Sequence, residues 1–274
     1  MKYLILLLIC LNVSACNRAG VVFRFADTLI VSKADDYLDL DNSQQERLKK
    51  NIRKDLGKVK EKTLPEIAKN LRELEVESRS EKINKDKILE LKNKSYADIL
   101  HAGQYFKDTA VDISNTLSNR QYTHLQKQVQ ADIDKKTKEY KKDAIKHTAK
   151  KYLKATEFWI GSVSKNQREM ISDFAKKNPY PWELKEKNRK ALLDKFISNK
   201  DNKTTRQELL TAYFTDHTHA QLPDFKVAMD GYTANLENFY IDKFWPTLSE
   251  YQKKTLRKNL LKRASDIEEV AQKP

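Results

Sequence analysis

Apolar residues recur at three- and four-residue spacing along nearly the whole chain, and no run of strict apolar–polar alternation bounded by Asn-Gly or Asp-Gly interrupts them. That period is helical. The pattern predicts an all-α fold of about nine helices in an irregular bundle. Four helix starts carry one signature: Leu40-Asp41-Asn42-Ser43-Gln44, Leu117-Ser118-Asn119-Arg120-Gln121, Val163-Ser164-Lys165-Asn166-Gln167 and Leu248-Ser249-Glu250-Tyr251-Gln252. In each, the Ser or Asp side chain is placed to accept from the backbone N–H three residues on. The Gln reaches back to the cap, and the preceding Leu or Val staples against the helix. Leu48, Leu125, Ile171 and Leu256, four positions after each Gln, continue the buried stripe. Thr204-Thr205-Arg206-Gln207 reads as a weaker fifth copy, with Lys203 in the staple position. The copies begin at 40, 117, 163 and 248, an irregular interval that excludes a solenoid of fixed period.

Prolines punctuate the pattern. Leu64-Pro65 predicts a break after the first capped helix, with Pro65 in the first turn of the next. Asn178-Pro179-Tyr180-Pro181-Trp182 predicts a loop and a candidate sub-boundary near 178–182; further breaks fall at His219–Pro223 and Trp245-Pro246-Thr247. From Ser118, the residues Tyr122, Leu125, Val129, Ile133, Tyr140, Tyr152 and Trp159 keep the helical period with no proline or glycine before Gly161. Two readings remain open: one helix over 118–160, about 65 Å long at about 1.5 Å per residue, or a break between about 134 and 147.

The first residues differ from the rest. Lys2 supplies a positive start, Tyr3 to Leu11 an apolar run too short to span a bilayer, and Val13-Ser14-Ala15-Cys16 the small-residue site of a bacterial lipoprotein leader. The reading is a signal peptide over 1–15, acylation of Cys16, an apolar tether over 16–33 and a single helical domain over 34–274. With Asn17 rather than Asp after Cys16, the expected address is the outer membrane, lipid-anchored and facing the periplasm. Val21, Val22, Phe23, Phe25, Leu29, Ile30 and Val31 make that tether apolar, to lie on the membrane surface or to dock on the helical body.

Charge then narrows the partners. The chain holds 53 Lys and Arg against 39 Asp and Glu, a net charge of +14. Cys10 leaves with the leader and Cys16 is consumed by lipid, so the processed chain has no disulfide. Behind such a leader the available polyanions are lipid head groups, cell-wall polymers and acidic client chains rather than nucleic acid. Lys135, Lys138, Lys142, Lys146 and Lys150 form the candidate anionic-ligand face, with a merely solvated face as the alternative.

The lipobox, Ala34-Asp35-Asp36-Tyr37-Leu38-Asp39-Leu40, Thr63-Leu64-Pro65, Phe158-Trp159-Ile160-Gly161 and the final Leu248-Ser249-x-x-Gln252 helix, in that order, resemble a family of proteobacterial lipoproteins catalogued only as a domain of unknown function. The resemblance implies a helical, membrane-anchored envelope protein and supplies no activity. The repeated helix start is also similar to the Leu-Thr-x-x-Gln motif of small periplasmic chaperones of the Spy and CpxP type, which implies a helical cradle for client proteins.

Catalytic chemistry is not legible. The sequence has no Gly-x-Ser-x-Gly elbow, phosphate-cradling glycine loop or His-Glu-x-x-His, and no cofactor is implied. His217 and His219, with Asp216, are the nearest approach to a metal site. Asp35, Asp36, Asp39 and Asp41 lack EF-hand spacing and read as a helix-terminal acidic cluster. The expectation is a non-catalytic protein that binds clients or envelope components in the manner of a chaperone or assembly factor. The alternative is a structural adaptor between the membrane and the cell wall or one envelope complex.

Overall fold

The computed structural model describes Gly20 and residues 23–272. The leader, Cys16 and the first part of the tether lie outside the described residues. Every regular element among the described residues is a helix. They are α1 (Ala26–Leu38), α2 (Asn42–Lys58), α3 (Leu64–Glu77), α4 (Lys85–Gln104), α5 (Lys107–Ser114), α6 (Asn119–Ile160), α7 (Lys165–Lys177), α8 (Trp182–Ser198), α9 (Lys203–Thr215), α10 (Pro223–Asn238) and α11 (Glu250–Gln272). A π-helical turn, Val59–Thr63, carries α2 into α3, and only Tyr105 and Phe106 separate α4 from α5, which leaves nine rods among the described residues. The fold is all-α, with about nine helices as the spacing predicts.

The capping boxes form as predicted. Asp41, Ser118 and Ser164 accept from the N–H of Gln44, Gln121 and Gln167, and each Gln side chain accepts from the cap N–H. Ser249 and Gln252 do the same at the start of α11, at 2.9 and 3.2 Å. The boxes then pair. Gln44 and Gln121 exchange side-chain amide hydrogen bonds of 3.3 and 2.6 Å, and Gln167 and Gln252 exchange bonds of 3.1 and 2.8 Å. Gln44 also donates to the carbonyl and hydroxyl of Thr116, and Gln167 to those of Thr247. Gln121 and Gln252 donate to the carbonyls of Asp39 and Ser162. All four glutamines are buried, and each amide is satisfied on both its oxygen and its nitrogen, which is what makes burial of so polar a group tolerable. Copies one and two thus form one unit and copies three and four a second with the same bonds. The two positive-φ residues of the described chain, Asp39 (50°) and Gly161 (83°), turn it into the first and third copies.

Two predictions of local structure are corrected. Leu64-Pro65 does not break the chain. Val59 to Thr63 widen into a π turn in which Leu64 N–H bonds to the Val59 carbonyl, and Pro65 enters α3 in its first turn as predicted, so the helical backbone continues instead of ending. Nor does Thr204 cap the fifth helix. Asn202 does, accepting from Thr205 N–H at 3.1 Å, because α9 starts two residues earlier than a Thr204 cap would place it and leaves Gln207 out of the box. The breaks at 178–181, 216–222 and 245–249 stand.

The apolar stripes bury in several clusters. Val31, Leu40, Leu48, Ile52 and Ile113 join α1, α2 and α5, with Ile30 packed against them. Residues 26–33 of the tether region therefore belong to α1, one face of which docks on the body. Val129, Ile133 and Leu193, with Tyr37, Leu125 and Ile197, seat the first half of α6 against α1 and α8. Ile160, Val163, Ile171, Phe174, Phe239, Phe244 and Leu248 form the core around α7, with Trp159 and Trp245 packed against it. Ala68 and Ala264, almost fully buried, let α3 and α11 approach closely between Ile67 and Ile267. Arg72 closes this contact with bonds of 2.7 and 2.6 Å to Glu268. The start and the end of the chain's helical body are thereby joined.

Candidate binding surface

Lys135, Lys138, Lys142, Lys146 and Lys150 lie at spacings of three and four residues on α6, and all five are exposed. Lys141 and Lys154 are exposed beside them. Between residues 135 and 154 the only ion pair among the described residues is Lys136 with Glu139, 2.7 Å. The five predicted lysines carry no ion pair, so their charge is available to a partner.

The stripe does not lie on a straight rod. Asp143, with φ −167° and ψ 67°, is non-helical inside α6, and its carboxylate accepts from Lys146 N–H at 3.0 Å. Asp143 therefore ends one helical run and caps the next, and the open question of a continuous 118–160 helix is answered by a kink within the 134–147 window. Below the kink, Tyr140 stacks on Trp182 with ring centroids 5.6 Å apart, and Lys151 donates to the Tyr140 hydroxyl at 2.9 Å from across the bend. Lys151 thus ties the two arms of the bend together through Tyr140, while Lys141, Lys142 and Lys146 beside the bend are exposed. Ile145, 41 % exposed, sits among them.

The aromatic residues fill the angle behind the elbow. Tyr152 and Tyr232 share a hydroxyl–hydroxyl hydrogen bond, Thr156 and Tyr240 another of 2.9 Å, and Tyr180 meets Tyr232 edge to face at 5.2 Å. Burial pushes the Tyr240 phenol up to about 12 and raises Tyr180 and Tyr232 in the same direction. These are packing groups with protonated hydroxyls.

The other candidates separate. His219 faces Asp216 at 3.7 Å and is largely exposed, whereas His217 packs edge-on near the rings of Tyr96 and Tyr213. Among the described residues no three His, Cys, Asp or Glu side chains are placed to hold a metal ion. The acidic cluster is divided as well, and it is not at a helix start throughout. Asp35 accepts from Leu40 N–H at the end of α1, Asp39 pairs with Arg120, and only Asp41 caps a helix N-terminus. The cap bonds from Gln44 N–H and Ser43 hold the Asp41 carboxyl below its ordinary range. A groove of about 470 Å³ runs over α3, lined by Pro65, Lys69, Arg72, Glu73, Val76 and Glu268. Its arginine is already paired with Glu268.

Sequence reading found the lysine stripe but missed Asp143 as its hinge and Ile145 at its centre. Asp143 is a favourable capping residue, but nothing upstream marks a helix end, so the signal for a cap was present and the signal for a stop was not. The pairing of the boxes was also missed, although copies two and four share Thr-Leu-Ser-x-x-Gln, and the two cap-to-cap separations, 77 and 85 residues, are similar.

This fold and surface define an all-α protein built on two pairs of interlocked helix caps. The chain belongs to a family of unknown function, DUF6279, whose model matches residues 36–226. Comparison with curated proteins and with solved structures returns no match.

Proposed function

We propose that the chain is a lipid-anchored, non-catalytic adaptor of the outer membrane. Its helical body faces the periplasm, and it holds an anionic envelope component on the lysine face of α6. Cys16 is the proposed acylation site. The observation that carries the reading is five exposed lysines without ion pairs along the two arms of the kinked α6, since free like charges gathered this closely carry a cost in self-repulsion that a polyanion removes. No helix among the described residues is long and apolar enough to cross a membrane. The exposed large apolar residues Phe25, Leu29, Val76, Ile145, Val227 and Tyr251 are dispersed over five helices, and a client-holding cradle would need them gathered. A chaperone is nevertheless the second reading, supported by the four capped Gln helix starts that resemble the Spy and CpxP motif.

The test is crosslinking in intact cells followed by capture of the protein and mass spectrometry of what is attached. One dominant protein or cell-wall fragment supports the adaptor. Many unrelated exported proteins support the chaperone, and recovery of the protein alone contradicts both.

A further inference from the structure

We propose that the lysine face of α6, together with the outer side of α1, lies on a bilayer surface rich in anionic phospholipid. The inference rests on the adaptor reading for the protein's place in the envelope and names the anionic partner of that face.

Two separate surfaces converge on it. On α1, Phe25 and Leu29 stand one turn apart at 53 % and 57 % exposure, with Arg24 exposed beside them. Phe25 follows Cys16 by nine residues, so an acylated Cys16 would keep this turn within reach of the lipid. One turn further along α1, Lys33 sits 4.7 Å over the Tyr37 ring, and the Tyr37 hydroxyl donates to Asp132 of α6. Asp132 lies one turn before the first lysines of the stripe. The packed side of α1, through Tyr37, therefore meets the basic stretch of α6 at one carboxylate, which Arg189 of α8 also reaches at 3.1 Å, and the exposed Lys33 lies over the same ring.

The chemistry of the face selects a lipid surface over a soluble polyanion. Lysine stems are apolar and extend, so their ammonium groups reach phosphates while the stems cover hydrocarbon. Ile145, exposed among Lys141, Lys142 and Lys146, gains from entering the boundary between head groups and acyl chains, and it gains nothing from a hydrated polymer. The kink at Asp143 presents this side chain at the bend of α6.

The experiment uses the full chain carrying C16S, which removes acylation, in sedimentation with vesicles of phosphatidylcholine alone and of phosphatidylcholine mixed with phosphatidylglycerol. The leader adds the same apolar background to both. Preference for the anionic vesicles by about tenfold or more at low salt is expected, fading as salt rises. Replacing Lys135, Lys138, Lys142, Lys146 and Lys150 by Gln removes the preference, whereas Gln at the exposed Lys165, Lys177, Lys187, Lys254 and Lys258 keeps most of it. I145Q weakens binding to anionic vesicles without changing its salt dependence. Equal binding to both vesicles overturns the proposal, as does a preference that survives the α6 substitutions. Lysine-dependent binding of polyglutamate without any vesicle preference also overturns it and assigns the face to acidic polypeptides. In each of these failures a single partner crosslinked in cells leaves the adaptor reading standing, so the two are separately refutable.

Discussion

A glutamine amide has four hydrogen-bonding positions, and at Gln44, Gln121, Gln167 and Gln252 the cap, the partner Gln and a neighbouring carbonyl occupy them. The capping role is legible from five residues of sequence, because N-cap chemistry is local. The partner is not, because it lies 77 or 85 residues away and the pairing is decided by helix packing. Replacing Gln167 by Leu removes its cap bond, leaves the Gln252 amide with its Ser249 and Ser162 bonds but without the two it exchanges with Gln167, and takes the glutamine donor from the Thr247 carbonyl, so a loss of about 2–4 kcal/mol is expected in urea unfolding. Q167L and Q252L together should cost less than the sum of the two singles by about 1 kcal/mol or more, the coupling of a shared buried network. Additive losses would mean that the boxes cap their helices independently.

At the scale of elements, the hydrophobic period located the helices well and their internal irregularities poorly. The π turn at Val59–Thr63 and the kink at Asp143 both keep the stripe of buried residues in register, so periodicity passes through them unbroken. Spin labels at residues 127 and 154 test the kink. A straight helix would separate their backbones by about 40 Å at about 1.5 Å per residue, and a shorter distance is expected. The α3–α11 contact is a second test. Ala264 is fully buried against Ile67 and Ala68, and A264L should destabilise by about 1–3 kcal/mol through overpacking, read as a lower urea midpoint. An unchanged midpoint would mean that the contact is looser than described.

For the whole molecule, charge and burial make separate statements. The tyrosine cluster predicts alkaline instability. Tyr240 is held up to about 12, and Tyr180 and Tyr232 are raised with it, against an ordinary value near 10. The folded state keeps protons that the unfolded chain would release, so this contribution is complete below pH about 10 and is lost as pH rises through the folded values. Absorbance of phenolate should therefore lag in a set of tyrosines until ellipticity falls; titration of all tyrosines while the helices persist would contradict the packing. The all-α class was plain from the helical period and the lack of strict apolar–polar alternation. The role of the basic surface was not, since a lysine stripe reads alike whether it is solvated or bound, and its exposure without ion pairs is compatible with either.

Attachment and binding are joined in one prediction for cells. C16S should let a high-salt wash, which weakens the lysine contacts, move the protein from the membrane fraction to the soluble one, and retention on membranes after that wash would assign the anchor to the apolar tether instead. The most direct measurement of the central claim is a photoreactive residue placed at position 142 on the α6 face and, separately, at position 258 on α11. The expected result is a discrete set of adducts from 142 that disappears when Lys138, Lys146 and Lys150 are replaced by Gln, and none of the same adducts from 258. Identical adducts from both positions, or none from 142, would contradict a binding role for the lysine face.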